Sequence, residues 1–68
     1  SRGLGDVYKR QMMRGEEIVV VDFKFGKPNK KYNKQVQGYM QLLVRMGYVA
    51  ENIRGYLWYV EENNIEPV

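Results

Sequence analysis

The hydrophobic pattern of the chain changes period twice, and each change marks an element. Residues 17–26 read Glu-Ile-Val-Val-Val-Asp-Phe-Lys-Phe-Gly, a β-branched and aromatic run that ends at a glycine. A run of that kind predicts a strand covered on both faces, as in a sheet with a parallel crossover. Alternation puts Ile18, Val20, Asp22 and Lys24 on one face and Val19, Val21, Phe23 and Phe25 on the other. The first face therefore begins apolar and turns ionic. Over residues 30–46 the period lengthens. Tyr32, Val36, Tyr39, Met40, Leu43 and Gly47 recur at three and four residues, the spacing of an amphipathic helix, with Leu42 and Met46 widening the stripe. Gly47 suits the left-handed position past the helix end, and Gly38 offers a place where the helix lies close to the sheet. Residues 53–60 form a second, aromatic-rich strand, Asn63-Asn64 a turn, and residues 65–68 a short edge strand.

Before the main strand, Met12 and Met13 end a preceding strand and Arg14-Gly15-Glu16 supplies the hairpin turn. Residues 1–11 keep no period, carry Gly3 and Gly5, and are expected to hold little structure. The loop Gly26-Lys27-Pro28-Asn29 separates strand from helix, because proline removes a donor from any continuing ladder. Strand, helix and strand in this order predict a right-handed crossover with the two long strands parallel. The fold class is α/β. With 68 residues there is one domain at most, marginally stable by its core alone.

Composition narrows the chemistry. The chain has neither His nor Cys, which removes thiol chemistry, histidine acid–base catalysis and the usual zinc ligands, and leaves oxygen ligands and lysine. No apolar stretch approaches the length of a membrane span and no signal-peptide core is visible, so a cytoplasmic protein without a membrane partner is expected. The formal charge is +3, unevenly spread. Lys24, Lys27, Lys30, Lys31 and Lys34 follow closely on Asp22, whereas Glu61, Glu62 and Glu66 make the tail acidic. Such a lysine run suits phosphate contacts, and equally suits a solvated loop and first helical turn.

Asp22 and Lys24 are the residues that need explaining. Charges leaving water cost several kcal/mol each unless paired, hydrogen-bonded or bound to a metal. A salt bridge at a strand end meets that need. So does a catalytic pair, with Asp22 as a hard oxygen ligand for a divalent cation and Lys24 beside it for water or phosphate. In a right-handed crossover the first turns of the helix lie near the end of the preceding strand. Gln35 and Tyr39, four residues apart and on one helix face, then converge on Asp22 and Lys24. Taken singly, Gln35 also reads as an exposed helix residue and Tyr39 as a core aromatic with a wet tip.

Val21-Asp22-Phe23-Lys24 followed by Gln35-Val-Gln-Gly-Tyr39 resembles the Asp-x-Lys plus Gln-xxx-Tyr pattern of RecB-type nuclease domains in the PD-(D/E)XK superfamily. Residues 20–28 and 55–60 resemble more closely the C-terminal nuclease module of UvrD/Rep-type repair helicases. The likeness spans residues 12–68. It implies a partial restriction-endonuclease-like core: hairpin or strand, crossover helix, parallel strand and short edge strand. It further implies Mg²⁺-dependent hydrolysis of DNA during recombination or repair, with Mn²⁺ as a substitute and a helicase domain upstream in the parent polypeptide. In those terms Asp22 and the Phe23 carbonyl hold the metal, Lys24 activates water, and Gln35 and Tyr39 position Lys24 and the DNA. Lys27, Lys30, Lys31 and Lys34 contact nucleic acid. The family's second metal-binding Asp, on the preceding strand, has no counterpart near Lys9-Arg10-Gln11, and Asp6 is the nearest acid. The expectation is a catalytically incomplete nuclease fragment, with a non-catalytic DNA-binding or structural βαβ module as the alternative. Residues 3–11 resemble a translated sequencing adapter, so residues 1–11 are expected to be a non-native leader.

Overall fold

In the computed structural model, which describes residues 6–13 and 15–68, one four-stranded sheet carries a single helix. Strands β1 (Asp6–Met12) and β2 (Gly15–Lys24) precede helix α1 (Lys30–Arg45), and β3 (Ile53–Tyr59) and β4 (Asn64–Pro67) follow it. The order across the sheet is β1-β2-β3-β4. The β1/β2 and β3/β4 pairs are antiparallel and β2/β3 is parallel. The α/β class, the hairpin, the parallel crossover and the edge strand thus match the sequence expectation.

Residues 6–11 depart from it. They were expected to hold little structure, yet they continue the strand that Met12 ends and pair with β2 from Asp6 opposite Val21 to Gln11 opposite Glu16. The ladder, which no local periodicity records, supplies their backbone partners. Residues 1–5 lie outside the described residues, as does Arg14 of the predicted turn. Gly15 takes φ +111°, where a side chain is strained, and so suits the residue that leaves the hairpin.

Cover on both faces of β2 is also not found. Burial alternates along the strand: Ile18, Val20 and Asp22 are buried, whereas Val19, Val21 and Phe23 are only half-buried. One helix covers one face. Against it pack Val36 and Leu43 of α1 with Ile18, Val20, Ile53, Leu57 and Tyr59 of the sheet, and Tyr32, Tyr39, Met40, Tyr48 and Val68 close the margins. The opposite face carries Tyr8, Val21, Phe23, Tyr56, Trp58 and Ile65 around a shallow cavity of about 340 Å³. There the Phe23 and Trp58 rings meet at 5.5 Å. Phe25, assigned to that face by alternation, falls past the end of β2 and is exposed.

Helix α1 starts where Asn29, in an extended conformation, accepts the Lys31 amide on its side-chain oxygen at 2.9 Å. That bond satisfies one of the donors a helix start leaves open. It ends at Gly47, φ +107°, in the left-handed conformation expected there. Leu42 and Met46 do not widen the buried stripe; both are exposed. Gly38 is exposed too, and a Cβ there would meet nothing. The close approach is instead at Gly55 of β3, where a Cβ would lie 2.8 Å from Val36 Cγ1 and collide with Met40 Sδ. The glycine that seats helix on sheet belongs to the strand.

Candidate functional site

Strand alternation and the helix start bring Asp22, Lys24 and Tyr32 together. Asp22 is 1 % exposed, and its Oδ2 has no hydrogen-bond partner among the described residues. Lys24 Nζ lies 3.4 Å from that oxygen, a loose ion pair, and its side chain is 21 % exposed. The same ammonium sits 4.5 Å from the centre of the Tyr32 ring, in cation–π range. Lys24 is thus held between a buried carboxylate and an aromatic face on the first turn of α1. At 3.4 Å the ammonium is farther from this oxygen than the roughly 2.7 to 2.9 Å of a charge-assisted hydrogen bond, so the buried carboxylate is only partly satisfied.

The other predicted residues are placed less closely. Gln35 is exposed and no hydrogen bond links it to Asp22 or Lys24 among the described residues. It stands about 100° round the helix from buried Val36, one turn on from Tyr32 and on the same flank. Tyr39 is half-buried against the core. Tyr32, at spacings of three and seven from Gln35 and Tyr39, is the flank's contact with Lys24. The Gln35–Tyr39 spacing could have pointed to it, but Tyr32 reads from sequence as core. Further along this side Lys9 Nζ donates to the Tyr48 hydroxyl at 3.0 Å, which holds the Lys9 ammonium above its ordinary pKa.

The register disposes of the second acid. Asp6 pairs with Val21, so it projects with Tyr8, Val21 and Phe23 on the face opposite Asp22. There it accepts the Tyr8 hydroxyl at 3.1 Å, and this bond pushes the Tyr8 phenol up. Lys9, Arg10 and Gln11 pair with Ile18, Glu17 and Glu16, at the far end of β2 from Asp22. The neighbourhood where a second metal ligand was sought is therefore not next to Asp22. The pairs of this ladder end at Asp6 opposite Val21 among the described residues. No group of three or more acids that could hold a metal is present among the described residues. With one carboxylate, most of the near-octahedral oxygen shell that Mg²⁺ asks for would be left to water and substrate phosphate.

Helix α1 divides the lysine cluster. Lys31 lies toward Tyr32, 5.7 Å from its ring, and Lys27 is exposed in the loop. Lys30 and Lys34 face the other way. With Pro28, Asn33, Gln37, Tyr59 and Glu66 they line a cavity of about 560 Å³ between the helix start and β4. Tyr59, which pairs in register with Lys24, is 1 % exposed and its hydroxyl has no partner among the described residues. Glu66 stands in the same row of the sheet as Asp22, beyond Leu57, and accepts from Asn64 Nδ2 at 3.1 Å. Neither Tyr59 nor Glu66 was singled out from sequence. Alternation on β3 with parallel pairing to Lys24 is the signal that carries Tyr59. No helix among the described residues is long and apolar enough to cross a membrane. Comparison with family models, curated proteins and solved structures finds no match for this chain.

Proposed function

We propose that the chain is half of a divalent-metal nuclease site of the PD-(D/E)XK kind, catalytically incomplete as it stands. One observation carries the reading: a carboxylate buried to 1 % exposure has on Oδ2 no hydrogen bond among the described residues, only a lysine ammonium 3.4 Å away at the end of a strand paired in parallel. A salt bridge that served the fold alone would be expected to close to the shorter distance of a charge-assisted hydrogen bond. Asp22 is proposed as one hard oxygen ligand, joined by the Phe23 carbonyl. Lys24 is proposed to orient water or phosphate, with Tyr32 fixing its ammonium. Gln35 and Tyr39 line the approach along the same flank, and DNA is the proposed substrate of the parent protein. The proposed incompleteness is supported by Asp6 projecting from the opposite face of the sheet to Asp22.

Restoring an acid on the correct face tests this. Val7 pairs with Val20, shares the Asp22 face, and is 37 % exposed. Diagonal neighbours of this kind lie about 7 to 8 Å apart, a span that two aspartates and one cation can bridge. With supercoiled plasmid and Mn²⁺ the unaltered chain is expected to leave DNA uncut. Val7→Asp is expected to nick it, and Asp22→Asn in that background to abolish nicking. A folded Val7→Asp chain that binds Mn²⁺ and DNA without cutting overturns the reading.

A further inference from the structure

The two outer edges of the sheet are guarded differently. Strand β4 is four residues long and contains Pro67, which lacks a donor, so that edge is short and blunted. Strand β1 runs for seven residues without proline and without a bulge, each residue from Asp6 to Met12 pairing in step with β2. No strand lies on its outer side among the described residues, and residues 6–11 are all exposed. A lysine projecting past an edge keeps other strands away. Lys9 does not project so: it donates to the Tyr48 hydroxyl at 3.0 Å, with its ammonium 5.3 Å from the centre of that ring, and is drawn back over its own chain. Arg10 turns inward to Glu17 at 2.7 Å, which holds its guanidinium in place and leaves further donors free to pair.

We infer that β1 is the docking edge for a second copy of this chain, the two β1 strands joining antiparallel about Tyr8 into one continuous sheet. The closed arrangement has a twofold axis perpendicular to the sheet, and because side chains alternate, that axis lies on the row of one residue rather than between two. The charges choose the row. With Tyr8 at the axis, Asp6 of each copy stands opposite Arg10 of the other, Val7 stands opposite Lys9, and the two Tyr8 rings meet. The Tyr8 hydroxyl takes one Asp6 oxygen at 3.1 Å, and the carboxylate has a second for the incoming guanidinium. Moving the axis to Lys9 or Arg10 sets like charges face to face, and moving it to Val7 leaves only Asp6 to Tyr8 paired among the described residues. Opposite charges in direct cross-strand pairs stabilise a ladder and like charges weaken it, so the register about Tyr8 wins. The same axis leaves both helices on one face of the joined sheet. A single strand edge is small beside a standard interface, so the dimer is weak and depends on concentration.

Sedimentation of the unaltered chain over a range of concentrations is expected to show its average mass rising from that of one chain toward that of two. Asp6→Arg and Arg10→Asp each set like charges opposite one another on both sides of the axis, and each should weaken self-association roughly tenfold or more. An equimolar mixture of the two variants should regain it, because only in the mixed pair do opposite charges face in every such row. Far-ultraviolet circular dichroism shows whether each variant is folded. Where one is not, amide exchange of the unaltered chain decides, with protection of residues 6–10 expected to rise with concentration. A single-chain mass at every concentration, a mixture of folded variants that associates no more than its components, or concentration-dependent protection at Phe23, Tyr56 and Trp58 in place of β1 overturns the inference.

Discussion

Removing the charge of Asp22 and removing that of Lys24 should have very unequal effects on stability. At 3.4 Å and an effective dielectric constant of about 20, the pair attracts by about 5 kcal/mol. Taking the two ions out of water costs several kcal/mol each, somewhat less for Lys24 because 21 % of its side chain remains exposed. The balance is close to zero. Asp22→Asn keeps the shape, removes the buried charge and leaves Lys24 with a route to solvent, so stability should stay within about 1 kcal/mol of the starting value or rise. Lys24→Met leaves a carboxylate at 1 % exposure with no cation, which costs about 3 to 5 kcal/mol. For a chain of 68 residues the whole stability is of order 3 to 10 kcal/mol, so Lys24→Met should lose from about a third of it to all of it. Urea titration followed by Trp58 fluorescence measures both. Equal losses from the two substitutions, or a loss above about 2 kcal/mol from Asp22→Asn, would mean that the pair exists to hold the fold together.

Three further expectations concern the frame of the site. Gly55→Ala should cost about 1 to 3 kcal/mol by pushing against Val36 and Met40, and Met40→Ala in the same chain should recover part of the alanine-specific loss. Asn29→Ala removes the helix cap and should lower stability by about 1 kcal/mol, read in the same urea titration. Tyr59→Phe deletes a buried hydroxyl that has no partner among the described residues; thermal unfolding should stay level or rise, and a clear fall would show that the hydroxyl is satisfied.

Period alone made the two long strands, the helix and its glycine stop legible, because burial on one face imposes spacings of two and three to four. What escaped was set by pairing between distant segments. The sequence 6–11 has no signature of its own and is a strand only because β2 offers it an edge. The expectation that β2 is covered twice came from its composition, whereas the number of faces covered depends on how many helices the chain supplies. Gly38 and Gly55 look alike in sequence; only the crossing point of α1 over β3 tells them apart. At the site, alternation correctly joined Asp22 and Lys24, but the assignment of Asp6 required the register, since a shift of one residue moves a side chain to the other face. Tyr32 was hidden by its double character, apolar enough for the core and aromatic enough for a cation.

The most direct test of the central claim, that Asp22 supplies half of a metal site, is Mn²⁺ binding read by paramagnetic broadening of amide signals. In Val7→Asp the affinity should rise roughly tenfold or more over the unaltered chain, with broadening centred on residues 7 and 22, and Asp22→Asn should remove the gain. Broadening confined to Glu61, Glu62 and Glu66, identical in all three chains, would contradict it.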